Sequence, residues 1–200
     1  MKIIVVGGTG TIGDAVVKEL SKRHEIVVAG HSHGDVQVDI KDIKSIQRMY
    51  ESVGKFDALV STAGKVHFAD FTDMGPEHYM IGINDKLMGQ VNLVLAGLNY
   101  INDHGSFTLT SGILSQDPIR FGTSASMVNG ALDSFAIAAA VEMPRSVRIN
   151  IVSPTVVSES MPKFSEFFHG FEPVTVARVA LAYSKSVEGV QTGQIYRVGY

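Results

Sequence analysis

Residues Ile4-Val5-Val6-Gly7-Gly8-Thr9-Gly10-Thr11-Ile12-Gly13 constrain the fold more than any other stretch of the chain. An apolar, β-branched run ends in a cluster of glycines, and an amphipathic segment opens directly after it. That order predicts a strand, a tight turn and a helix. Glycine has no Cβ, so the backbone can turn sharply there and approach a pyrophosphate closely. The free N–H groups and positive dipole end of the new helix point at the same place. A lone glycine motif is a weak signal, but a strand before it and a helix after it supply the context it requires. The alternative is a plain glycine turn with no ligand.

The rest of the chain repeats the alternation. Apolar, β-rich runs occupy 2–6, 25–29, 35–38, 58–61, 106–110, 147–152 and 195–198, and helical patterns occupy 11–23, 42–53, 76–83, 85–101, 123–143 and 175–184. Strands alternating with helices predict a parallel sheet covered on both faces. With right-handed crossovers from a first strand that carries the glycine turn, the expected architecture is α/β: a doubly wound parallel sheet of about seven strands, with helices on both faces, in one domain over residues 1–200. Asp42 and Thr175 stand where N-caps are expected. Ala131, Leu132, Phe135, Ala138 and Ala139 follow a 3.6-residue period and predict a helix buried on that face, against the sheet or a second subunit.

Composition narrows the function classes. The chain of 200 residues has 45% hydrophobic and 18% charged residues, a net charge of −3 and no cysteine. The charge argues against nucleic acid or an acidic membrane as partner. Without cysteine, thiolate catalysis and thiolate metal sites are excluded. The run at 3–6 is too short for a signal-peptide core, and no apolar run approaches the ~20 residues of a membrane span. A cytoplasmic protein is expected.

Four markers in register give the chain a resemblance to the short-chain dehydrogenase/reductase family. They are the loop Gly7–Gly13; Asp39-Ile40 after the third strand; Ser61-Thr62-Ala63-Gly64 at the end of the fourth; and Asn150-Ile151-Val152-Ser153-Pro154. The Gly7, Gly10, Gly13 spacing resembles that of the family's extended and atypical branches. The resemblance implies a Rossmann-type fold, a nicotinamide cofactor, a small-molecule substrate and a homodimer or homotetramer. It places cofactor contacts at Gly7, Thr9, Gly10, Thr11, Ile12 and Gly13, at Asp39 and Ile40, at Ser61, Ala63 and Gly64, at Asn129, and at Pro154 and Val157.

The end of the second strand decides between the cofactors. It reads Val28-Ala29-Gly30-His31-Ser32-His33, with no carboxylate to grip a ribose 2′-hydroxyl or repel a 2′-phosphate. His31 and Ser32 can donate to that phosphate, so NADP(H) is expected over NAD(H). A metal pair at His31 and His33 lacks a third ligand nearby, so no metal is expected. His67 reads as a loop histidine.

The family's catalytic set is altered. In the family a tyrosine transfers the carbonyl proton, a lysine four residues on supports it, a serine holds the reacting oxygen and an asparagine completes the relay. Aligning on the Glu142-Met143 pair puts Asn129 at the lysine position and Ala125 at the tyrosine position. No tyrosine lies between Tyr100 and Tyr183. Ser111 has nearly the family's serine spacing. Anchoring on Gly89 puts Lys86 at the asparagine position, which leaves two readings open. In one, lysine and asparagine have traded places, and Lys86, Asn129 and Ser111 form the site. In the other, Lys86 is solvated and Asn84 is a shifted asparagine.

After Pro154, Met161, Phe164, Phe167 and Phe168 suggest either an apolar substrate cover or a docking helix. The expected function is reduction, with NADP(H), of a carbonyl or activated C=C in a small apolar substrate. The alternatives are a catalytically inactive NADP(H) sensor and an interaction scaffold on the same fold.

Overall fold

The computed structural model describes all 200 residues. Seven strands form a single parallel sheet in the order β3-β2-β1-β4-β5-β6-β7. They are β1 (Lys2–Val6), β2 (Glu25–Gly30), β3 (Val36–Gln37), β4 (Phe56–Ser61), β5 (Ile101–Thr110), β6 (Arg148–Pro154) and β7 (Ile195–Val198). Every pairing is parallel. Strand order reverses at β1, so the doubly wound architecture expected from the alternation is the one observed, and a ligand crevice opens beyond the carboxyl ends of β1 and β4.

Each face of the sheet carries its own core. One is built on Ile4, Val6, Leu59, Phe107 and Ile149, and is closed by α2 (Ile43–Val53), α4 (Met88–Gly97) and α5 (Thr123–Glu142). The other is built on Ile3, Val5, Val60 and Val152, and is closed by α1 (Thr11–Leu20) and α7 (Val176–Glu188). Consecutive strand residues alternate between the two faces, so β1 reads as a continuous apolar run. Asp42 caps α2 by accepting from the Lys44 N–H, and the Thr175 hydroxyl caps α7 through the Arg178 N–H.

Three expectations shift. The helices expected over 76–83 and 85–101 are one rod: α3 (Pro76–Gly82) runs into α4 through a π-helical turn, Ile83–Leu87. The rod ends at Gly97, where a Cβ would lie 2.8 Å from the Tyr50 hydroxyl of α2 and 2.9 Å from the Phe107 ring of β5. β5 therefore starts at Ile101, earlier than the apolar pattern suggests. The strand expected over 35–38 shrinks to two residues at the sheet edge.

The buried stripe of α5 also differs from the expected one. Ala125, Val128, Leu132 and Ala136 are buried, together with the polar Asn129 and Asp133, whereas Ala138 is exposed. Polar residues on this stripe were invisible to a search for apolar periodicity. At twenty residues α5 also has the length of a membrane span, contrary to the expectation that no apolar run comes close. In the fold, Val128, Leu132 and Ala136 pack against the sheet as part of its core. Beyond β6 lies the short α6 (Met161–Phe164).

Candidate active site

Two adjoining clefts open at the carboxyl ends of the strands. The first has a volume of about 330 Å³ and is lined by the glycine turn, Gly30 and His31 of β2, Val38–Lys41 after β3, and Thr62–Lys65 after β4. Its floor is backbone. Gly13 packs directly on the turn: a Cβ there would lie 2.1 Å from the Gly7 carbonyl oxygen, closer than any side chain permits. No side chain caps the N-terminus of α1 at Gly10, so the helix presents its amide end to the cleft. The Thr62 hydroxyl donates to the Val6 and Gly7 carbonyls at 3.2 Å and fastens the end of β4 to the turn. A side chain on the turn would fill this cradle. The backbone there fits a dinucleotide pyrophosphate.

Gly7, Thr9, Gly10, His31, Asp39, Ile40, Ala63 and Gly64 all line this cleft. Ser61 lies fully buried beneath it with its hydroxyl unpartnered, and Thr62 forms the wall in its place. Ser32 sits behind the His31 ring, 3.2 Å from Nδ1. The expectation that this end of the cleft lacks a carboxylate needs correction. β3 lies beside β2, and the parallel pairing brings Asp39 to 3.9 Å from His31 Nε2. Lys41 lines the cleft beside it.

The second cleft, about 290 Å³, is lined by Ile12, Ala63, Gly64, Lys86, Ser111, Ala125, Asn129, Pro154 and Val157, among others. Here the two readings of Lys86 separate. Lys86 Nζ donates to Asn129 Oδ1 at 2.6 Å and to the Ser111 carbonyl at 3.1 Å. Asn129 Nδ2 donates in turn to the Gly112 carbonyl at 3.3 Å. Lysine and asparagine, 43 residues apart on different helices, are thus in direct contact, as the traded-places reading requires. The π turn carries Lys86 to this position; such one-turn insertions re-aim a side chain and recur at functional sites. Gly64 makes room for it, since a Cβ there would lie 2.6–2.9 Å from the Lys86 stem.

Burial pushes the Lys86 ammonium down to about 8, while the Asp133 carboxylate draws it back up. Asp133 follows Asn129 by one turn of α5, is buried, and leaves Oδ1 without a partner. The Ser111 hydroxyl is also buried and unpartnered at the cleft wall. A buried hydroxyl with no protein partner is free to bond a ligand. Ala125 lines the second cleft, and no tyrosine lines either cleft. Asn129 bonds Lys86 through Oδ1 and Gly112 through Nδ2, which leaves one amide N–H without a protein partner.

Residues 6–192 match the family described as Enoyl-(Acyl carrier protein) reductase. The chain belongs to the short-chain dehydrogenase/reductase family. Among solved structures, it is 53% identical to protein lin1944 from Listeria innocua, with a TM-score of 0.98 over 99% of both chains. A small-chain dehydrogenase solved in complex with NADPH is 26% identical, with a TM-score of 0.87 over 99% of this chain and 96% of the other. Among curated proteins, the L-xylulose reductase of Homo sapiens is 28% identical over 178 residues, covering 80% of this chain and 73% of the reductase. Family membership assigns the chain to the nicotinamide-dependent oxidoreductases.

Sequence reasoning missed Asp133 and Lys41, and named Thr62 only within the Ser61–Gly64 marker, not as a cleft wall. Asp133 carried a usable signal, the helical spacing that places it one turn beyond Asn129. Lys41 carried none, because only the strand ends bring it to the cleft.

Proposed function

We propose that this chain is an NADP(H)-dependent reductase of small apolar carbonyl compounds or activated alkenes, with Lys86 as the proton donor. The contact of Lys86 Nζ with Asn129 and the Ser111 carbonyl, inside the cleft and beside the free Ser111 hydroxyl, carries this reading. Two of the three ammonium protons are engaged, and the third is available to a substrate oxygen. The glycine turn and the α1 N-terminus would hold the pyrophosphate, and His31 and Lys41 the 2′-phosphate. When bound, the nicotinamide supplies the hydride.

Ser111 Oγ donates to the substrate oxygen and fixes its position. Lys86 stabilises the charge developing there and delivers its proton to that oxygen. Asn129 and the Ser111 carbonyl hold the ammonium in place, and Asp133 keeps it charged. With its pKa at about 8, most of the lysine is protonated at pH 7, which suits a general acid. Exposed Leu95 on α4 and Ile137 and Val141 on α5 support a homodimer or homotetramer.

A second reading, a cofactor sensor without turnover, is favoured by Ala125 at the tyrosine position. Titration with NADPH and NADH, followed by NADPH oxidation across a panel of ketones and enones, separates the two. The reductase reading expects NADPH to bind more tightly than NADH and to be consumed. NADPH binding without consumption by any member of the panel overturns it in favour of the sensor.

A further inference from the structure

The apolar space does not end at Lys86 and Ser111. Phe68 and Phe164 line the reaction cleft and also line a further chamber of about 310 Å³, closed by Ala69, Asp70, Ile119, Phe121 and Phe167. The Phe68 and Phe164 rings stand 6.5 Å apart, tilted 47° to each other, at the junction of the two spaces. We propose that this chamber takes the aryl ring of a neutral ketone that carries the ring at the end of a short alkyl chain and whose carbonyl lies at Lys86 and Ser111. The inference rests on the reductase reading for the carbonyl end and on the chamber itself for the ring.

Size, polarity and wall geometry each point the same way. Six of the seven lining residues are apolar, four of them phenylalanines. An apolar cavity of about 150 Å³ already holds a benzene ring. The rings that flank the space offer edge-to-face contacts, which favour an aromatic guest over an alkyl one. Phe68 is 42% exposed and Phe164 half-buried, so a guest would remove apolar surface from water.

The one polar wall residue is already engaged. Asp70 accepts from the Thr72 N–H at 3.1 Å, from the Thr72 hydroxyl at 2.8 Å and from Arg120 at 3.5 Å. These bonds, the Thr72 N–H first, hold its carboxyl below the usual range. An ionised carboxylate disfavours an anionic tail. A polyhydroxylated substrate, of the kind for which the human relative is named, would leave hydroxyls unpaired in this chamber.

The wall is also held in an unfavourable backbone state. Phe121 has φ 66°, a left-handed conformation that is uncommon for a bulky residue. Its ring lies 4.6 Å beneath the Arg120 guanidinium and meets Phe167 edge-on at 5.9 Å. The cation–π contact and the Asp70–Arg120 pair together fix this ring in the wall. Such strain persists where surrounding contacts impose it, and it collects at ligand sites.

The test compares the binding of butan-2-one, 4-phenylbutan-2-one and L-xylulose by saturation-transfer NMR and calorimetry, with and without NADP⁺. The phenyl ketone is expected to bind roughly tenfold tighter than butan-2-one, with the strongest saturation on its ring protons. Phe167→Ala, which opens the wall, and Ala69→Leu, which fills the space, should each bring that ratio towards one. Butan-2-one serves as the internal reference for a folded cleft in both variants. A ratio near one in the natural chain, a ratio unmoved by both variants, or tighter binding of L-xylulose overturns the proposal. NADPH oxidation is read separately. Ring-dependent binding without oxidation leaves the chamber standing and removes the reductase reading, whereas oxidation of butan-2-one with no aryl preference does the reverse.

Discussion

The two clefts are built from different materials. The first, proposed above as the cofactor cleft, is shaped by backbone: a glycine turn, a helix N-terminus and the ends of three strands. The reaction cleft is made by side chains from the π turn, β5 and α5, held by hydrogen bonds between residues far apart in sequence. A backbone site tolerates few changes, because its shape is set where no side chain fits. A side-chain site can exchange its parts between elements if the same space is filled, and the exchange proposed for Lys86 and Asn129 is of that kind.

That difference can be tested, beginning where the effect is largest. Lys86→Met should lower kcat for reduction by about 10²–10⁴, the usual worth of a positioned acid, and leave the NADPH dissociation constant within a few-fold. The same substitution should raise the melting temperature at pH 7, since a desolvated ammonium no longer opposes folding. An unchanged kcat would place the acid elsewhere. Gly13→Val attacks the other cleft: forcing a Cβ against the Gly7 carbonyl should cost about 1–3 kcal/mol of stability and weaken NADPH binding by a similar energy. Denaturant unfolding and cofactor titration would measure both, and a variant that binds NADPH normally would refute the backbone account of the cradle.

The pH dependence sharpens the side-chain cleft. The acid form of Lys86 is the active one, so kcat should fall as pH rises through about 8. Asp133→Asn removes the carboxylate that raises the lysine, so the falling limb should move to lower pH. A merely structural role for Asp133 would change kcat without moving the limb. The smallest effect is expected at the cofactor cleft's edge. Lys41→Met should weaken NADPH by about 1 kcal/mol, or roughly fivefold, with little change for NADH, and affinity titrations with both cofactors would show whether Lys41 meets the 2′-phosphate.

The same contrast explains what could be read in advance. The glycine turn, the strand–helix alternation and the caps at Asp42 and Thr175 are local, and each declares itself within a few residues. The π turn is less legible, because Ile83–Leu87 looks helical in composition and nothing local announces an extra residue in one turn. The stripe of α5 was misplaced for a related reason: Asn129 is buried in contact with Lys86, Asp133 is buried one turn beyond it, and an apolar periodicity passes over both. The contact between Lys86 and Asn129 was not legible until the helices were placed side by side. Asp39 was legible as the residue that follows the third strand, but its nearness to His31 was not, since that depends on β3 lying beside β2.

By itself, then, the sequence determined the doubly wound sheet, the glycine turn after its first strand and the absence of any tyrosine between Tyr100 and Tyr183, because hydrophobic period, glycine geometry and residue identity act over short spans. Only the tertiary structure decided that Lys86 meets Asn129, that Asp133 stands behind them and that an aromatic chamber continues the cleft. Those contacts join residues from separate elements, and their energies come from burial and hydrogen bonding that exist only once the sheet has brought the elements together.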